Sequence, residues 1–127
     1  MERQPTILIV EDSPLNRKLV ETVLKQHGYR LLVAEDGQAG VEVALRERPD
    51  LILMDVMMPV MNGYDATRRL KDHRETTRIP IVALTASAMP YERDQALDAG
   101  CDGYISKPID TRAFPGQVKQ FLNRAGE

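Results

Sequence analysis

The chain has 127 residues, 43% hydrophobic and 28% charged, with a formal net charge of -2. That is one domain's worth of chain, long enough for a proper core, and without a basic excess non-specific nucleic-acid binding is excluded as a first reading. A lone cysteine, Cys101, excludes an internal disulfide and a multi-cysteine zinc site and fits a reducing, cytoplasmic setting, and the apolar run near Met1 is too short for a signal peptide or membrane span.

In chain order, TILIV (Thr6 to Val10) reads as a buried strand. Leu15, Leu19, Val23 and Leu24 then mark one face of a helix that runs to about His27 and stops at Gly28. RLLVA (Arg30 to Ala34) is the second strand, and Asp36 and Gly37 lead into a helix through Val41, Ala44 and Leu45 that ends by Pro49. LILM (Leu51 to Met54) is the third strand, followed directly by Asp55. Asn62 can cap a helix carrying Tyr64, Thr67 and Leu70, and Pro80 precedes the fourth strand, IVALT (Ile81 to Thr85). A helix from about Met89 to Ala99 ends at Gly100. DGYIS (Asp102 to Ser106) is the weakest strand. Asp110 or Thr111 opens the last helix, with Phe114, Val118, Phe121 and Leu122 on one side and Pro115 a turn inside, which predicts a loose first turn.

Five strand-helix units with near-continuous apolar strands predict a doubly wound α/β fold, a parallel sheet with helices on both faces. Ligands of such folds bind at the carboxyl ends of the strands. Those positions hold Glu11 and Asp12 after strand one, Asp55 after strand three, Thr85 at the end of strand four and Lys107 after strand five. Three carboxylates offer hard oxygen ligands for a cation of the magnesium type, and lysine and threonine suit a phosphoryl group. Taken singly, the acidic pair reads as a solvated turn or helix cap, Lys107 as an exposed loop residue and Thr85 as an ordinary strand threonine. Asp55 differs, because burying an unpaired carboxylate costs several kcal/mol or forces it to take up a proton. The joint placement at one end of the strands favours function over coincidence. No glycine-rich phosphate loop of either common type is present, so nucleotide binding has no support.

The chain resembles the receiver domains of two-component response regulators over essentially its whole length. The resemblance is carried by ILIVEDSPLNRKLV, LILMDVMMPVMNGYDATRRL, IPIVALTASAM and AGCDGYISKPID. It implies a flavodoxin-like sheet of strand order 2-1-3-4-5 and phosphorylation of Asp55 by a sensor histidine kinase or histidine phosphotransfer protein. It assigns Glu11, Asp12, Asp55 and the backbone carbonyl of Met57 to Mg2+, Lys107 to the phosphoryl oxygens and Thr85 to the switch hydroxyl. Tyr104 matches the aromatic switch residue, Ala86 a small residue beside the phosphoryl group, and Pro59 and Gly63 the rim of the site. Met57 and Ser87 occupy the variable positions flanking the phosphoryl group. The Lys107-Pro108 bond is cis in many relatives, an isomer that is otherwise uncommon. For most of the cluster Met54, Met57, Met58 and Met61, filling of irregular gaps outweighs a recognition surface. His27 and His73 read as exposed or capping residues with no catalytic role.

Pro14, Leu15 and Leu19, with Pro108 in the loop after strand five, form the expected docking surface for the phosphodonor, although Leu19 equally suits the core. The expectation is a single receiver domain over residues 1-127 without an output domain. It is a monomer that binds neither nucleic acid nor membrane, and it is no enzyme beyond its own phosphorylation and dephosphorylation. A receiver excised from a hybrid sensor kinase is the alternative. A metal-dependent phosphohydrolase is a reading of another class, but the D-V-M after strand three lacks a second acid to protonate a leaving group. A flavin carrier would need a phosphate-binding loop where Glu11 and Asp12 stand.

Overall fold

The computed structural model describes residues 4–125 apart from 59, 87 and 88, and only the backbone of 124 and 125. Its elements are β1 (Thr6–Val10), α1 (Pro14–Lys25), β2 (Arg30–Ala34), α2 (Gly37–Glu47), β3 (Leu51–Asp55), α3 (Gly63–Asp72), β4 (Ile81–Thr85), α4 (Pro90–Ala99), β5 (Gly103–Ser106) and α5 (Phe114–Ala125). All strand pairs are parallel, in the order β2-β1-β3-β4-β5. No described helix is long and apolar enough to cross a membrane.

The continuous apolar strands are explained by two cores, one on each face. Ile7, Ile9, Leu51, Leu53, Val82 and Leu84 pack with Val20, Leu24, Phe114 and Val118 of α1 and α5. Their neighbours Leu8, Val10, Ile52, Met54, Ile81 and Ala83 pack with Val41, Ala44, Ala66, Leu70 and Ala96 of α2, α3 and α4. Successive side chains of a strand point to opposite faces, so a strand covered on both sides must be apolar throughout. β2 departs from this, since it is an edge strand whose Val33 is 43% exposed.

Local signals set the helix ends. The side chains of Ser13, Asp36 and Asn62 cap α1, α2 and α3, accepting from the amides of Asn16, Ala39 and Asp65. Gly100 ends α4 in the left-handed conformation at φ 107°, where a side chain would be strained. α1 stops at Lys25, short of the expected His27. The last helix has the loose first turn expected of it. The Asp110 side chain accepts from the amides of Arg112 and Ala113 and its carbonyl from the Phe114 amide at 2.8 Å, residues 111–113 form a turn, and the regular helix begins at Phe114. Pro115, which has no amide to donate, stands just past this boundary.

The amino end of β5 is anchored through Asp102. Its carboxylate accepts from the Ile81 amide at 2.8 Å and from Lys71 Nζ at 3.1 Å, while Lys71 also donates to the Ile79 carbonyl at 2.8 Å. These bonds tie α3, the start of β4 and the start of β5 together, and the shortest strand gains its register from them. Both histidines are exposed, and the backbone of His73 caps α3.

Candidate functional site

The strand register brings the carboxyl ends level. Val10 lies beside Met54, Asp55 beside Leu84 and Thr85 beside Ser106. Two backbone bonds carry the ladder one residue past the strands, from the Glu11 amide to the Ala34 carbonyl at 3.0 Å and from the Lys107 amide to the Thr85 carbonyl at 2.6 Å. Glu11 and Lys107 are thus held by the sheet itself. The Arg17 guanidinium donates to the Glu11 carbonyl at 3.0 Å, fixing the turn into α1.

Lys107 is the centre of the charge arrangement. Its Nζ donates to Glu11 Oε1 at 2.8 Å and to Asp55 Oδ1 at 3.1 Å. Glu11 and Asp55 are 1% and 3% exposed. Asp12, by contrast, is exposed at the mouth. One ligand oxygen from each of Glu11, Asp12 and Asp55 lies within 4.8 Å of the others. The Ser13 amide donates to Glu11 Oε2 at 3.2 Å and the Met57 amide to Asp55 Oδ1 at 3.3 Å.

One lysine does not neutralise two buried carboxylates. Burial, reinforced by the neighbouring Glu11 and only partly opposed by Lys107, pushes the Asp55 carboxyl up to about 7. Burial would also raise Glu11, but hydrogen bonds with Asp55, Lys107 and the Ser13 amide hold it below the usual range. Burial disfavours the Lys107 cation, and its two carboxylate partners more than offset this, raising its pKa. Lys107 alone thus offsets only part of what disfavours the Asp55 carboxylate, and a divalent cation at the three carboxylates would supply the missing positive charge. Hard carboxylate oxygens in this number fit a cation of the magnesium type.

The other expected residues divide into three groups. Thr85, 1% exposed, and the half-buried Tyr104 lie on the same face of the sheet, with Tyr104 paired to Ala83 one step below Thr85 and Ser106. Ala86 is exposed at the mouth, whereas Ser87 and Pro59 lie outside the described residues. Pro14 and Leu15 are exposed on the first turn of α1, Leu15 at 79%. Leu19, at 41% exposed, is no core residue and joins Pro108, Asn16 and Ile109 around a small cavity beside Lys107. The Lys107-Pro108 peptide is cis.

The methionines separate by position. Met54 is fully buried, Met58 and Met61 pack against the core, and Met57 is 74% exposed beside Asp55. Met57 is therefore no gap filler. A neighbourhood that sequence reasoning missed puts Arg93 of α4 and Tyr104 of β5 on the walls of one open groove. It depends on how α4 lies over β5, and no spacing in the sequence signals it.

Comparison with known proteins agrees with this geometry. A family model described as the response regulator receiver domain matches residues 7–119. The polar-differentiation response regulator DivK of Brucella anthropi is 38% identical over 120 residues, covering 94% of this chain and 98% of the relative. The receiver domain of sensor histidine kinase PA1611 from Pseudomonas aeruginosa superposes with a TM-score of 0.85 at 38% identity, covering 98% of this chain and 100% of that one. That structure has a magnesium ion coordinated in its active-site cleft. The chemotaxis protein CheY4 of Vibrio cholerae gives a TM-score of 0.89 at 27% identity, over 94% of this chain and 99% of that one.

Proposed function

This chain belongs to the response regulator receiver family, and from that premise we propose that Asp55 is its phosphoacceptor, with Glu11, Asp12, Asp55 and the Met57 carbonyl as the Mg2+ site. The observation that carries the proposal is the Lys107 ammonium held between the buried Glu11 and Asp55 carboxylates at the carboxyl edge of the sheet. An Asp55 oxygen attacks the phosphorus of a phosphohistidine on a sensor kinase or phosphotransfer protein. The N–P bond breaks as the O–P bond forms, and an acyl phosphate results. Lys107 is already placed to meet the transferring oxygens, so catalysis is positioning and electrostatics without acid-base work. Mg2+, when bound, offsets charge on those oxygens. Thr85 and Tyr104 respond to the new group, and the altered surface is read by a partner protein. The only reactions of the domain itself are its own phosphorylation and dephosphorylation.

The near end-to-end match with DivK supports a single-domain regulator. The equally identical receiver of a sensor kinase supports the second reading, a module of a hybrid kinase. Pro14 and Leu15, exposed on the first turn of α1, with Leu19 and Pro108 beside Lys107, are the proposed docking surface for the phosphodonor.

The direct test is intact-mass measurement after incubation with acetyl phosphate and Mg2+. One added phosphoryl group is expected on the wild type and none on Asp55→Asn; no gain on the wild type, or an equal gain on both, overturns the assignment. The exposed Met57 side chain cannot hold an attacking water well, which predicts a long-lived phosphoaspartate. Met57→Asn should shorten its half-life by on the order of tenfold, well below the contribution of a full proton acceptor. An unchanged decay rate would remove Met57 from that role.

A further inference from the structure

Of the three carboxylates in the proposed Mg2+ site, only that of Asp12 is held by nothing. Glu11 and Asp55 both accept from Lys107, Glu11 Oε2 accepts from the Ser13 amide, and Asp55 Oδ1 from the Met57 amide. The exposed Asp12 carboxylate makes no hydrogen bond or ion pair among the described residues. Its place within 4.8 Å of the other two therefore depends on its backbone. β1 ends at Val10, and the Glu11 carbonyl lies past the last paired residue of that strand. Its only donor among the described residues is the half-buried Arg17, whose guanidinium reaches back from the first turn of α1 to within 3.0 Å. The Arg17 amide donates to the Ser13 carbonyl at 2.9 Å. One residue thus grips the chain immediately before and immediately after Asp12, and its guanidinium forms no ion pair among the described residues.

We propose that Arg17 is a positioning residue for the metal site, fixing the Glu11–Asp12 peptide so that the Asp12 carboxylate stands ready beside the buried pair. This rests on the proposed Mg2+ site and deepens it. A charge-assisted bond to a carbonyl is among the stronger hydrogen bonds, and this one holds the peptide unit from which Asp12 projects. Without it an exposed carboxylate is free to turn into water, and ordering it becomes a cost of binding. Groups that orient metal ligands from behind commonly change affinity by about 10- to 100-fold when removed. Charge alone would act in the opposite sense, since a nearby guanidinium repels a divalent cation and its removal would tighten binding. The direction of the change therefore separates the two roles.

The test is a titration of the full chain with MgCl2, followed by backbone amide NMR, on the wild type and on Arg17→Ala, Arg17→Met, Arg17→Lys and Lys18→Ala. Each variant is first melted in chelator, and titrations are run well below that melting temperature, so that loss of fold is read separately from loss of affinity. Arg17→Ala should raise the Mg2+ dissociation constant about tenfold, the low end for such supporting groups, because the lost charge acts against it. Arg17→Met keeps the apolar stem without a donor and should match alanine. Arg17→Lys keeps a donor and the charge and should recover at least half of the loss on a logarithmic scale. Lys18→Ala removes an equal charge from the next, exposed position of α1 and should leave the constant unchanged or slightly lower. An unchanged or smaller constant in Arg17→Ala, wild-type affinity in Arg17→Met, no recovery in Arg17→Lys, or an equal loss in Lys18→Ala overturns the role of Arg17 and leaves the metal site standing. A wild type that shows no Mg2+-dependent shift overturns the metal site itself, and the role of Arg17 with it.

Discussion

Asp55→Asn is expected to stabilise the metal-free protein by about 2 kcal/mol near pH 8, raising its melting temperature by roughly 5–10 °C for a domain of this size. The cause is the carboxyl's displacement from 3.8 to about 7 by burial and by Glu11. A raised carboxyl pKa means that the folded state binds the proton more tightly than the unfolded chain. The associated stability is complete below the unfolded value and is lost as pH rises through the folded one. The wild type should accordingly weaken between about pH 4 and pH 7, and the advantage of asparagine should grow over that window and level off above it. The full shift corresponds to about 4 kcal/mol, and we expect roughly half because Glu11 and Lys107 move in the compensating direction. Asparagine can still accept from Lys107, so its ammonium is not orphaned. Added Mg2+ should stabilise the wild type and do much less for the variant, since a ligand that binds only the folded state stabilises it by mass action. Thermal melts near pH 5 and pH 8, with chelator and with Mg2+, check the whole pattern. An advantage that is independent of pH would mean that the carboxyl is not strained by its surroundings.

That strain was legible in the sequence only as a question. A carboxylate directly after LILM has to be either paired or functional, and the acids and lysine at the other strand ends supplied its partners. The parallel strands, the five helices and the convergence of Glu11, Asp12, Asp55, Thr85 and Lys107 follow from apolar periodicity together with the rule that such folds bind at the carboxyl edge, whereas the sheet order is what the family resemblance implies. What the sequence could not fix was the division of charge. That Lys107 is shared between Glu11 and Asp55, leaving Asp55 short of positive charge, depends on contacts of 2.8 and 3.1 Å that no spacing encodes. The entry to α5 was legible, since Asp110 has the chemistry of a helix cap and accepts from the Arg112, Ala113 and Phe114 amides. Leu19 has a core-like spacing along α1, yet it lies half-exposed beside Pro108, because the face that α1 turns to the sheet is centred on Val20 and Leu24.

Gly63→Ala should cost about 3 kcal/mol or more, at the upper end of what overpacking a core does, and should also lower phosphoryl uptake. Gly63 opens α3 directly beneath the residue that carries the chemistry. A β-carbon there would stand 2.8 Å from the Val56 α-carbon and closer still to the Asp55 carbonyl oxygen. Both are backbone atoms, so no side chain can rotate away. The backbone is held on every side: the Gly63 amide donates to the Val56 carbonyl at 3.2 Å, the Thr67 hydroxyl to the Gly63 carbonyl at 2.7 Å, and the Val56 amide to the Leu84 carbonyl at 3.4 Å. Relief requires either lifting the first turn of α3 or pushing the end of β3 out of the sheet, and either moves the Asp55 carboxylate away from Lys107. Gly116 in α5 is the natural control. A β-carbon there meets nothing within 4 Å. Gly116→Ala should therefore stabilise by about 1 kcal/mol through helix propensity alone. Chemical denaturation of both variants, with uptake from acetyl phosphate measured on the folded protein, separates the two effects. If Gly63→Ala melts with the wild type and keeps its uptake, the close seating of α3 against the Asp55 backbone is not what positions the carboxylate.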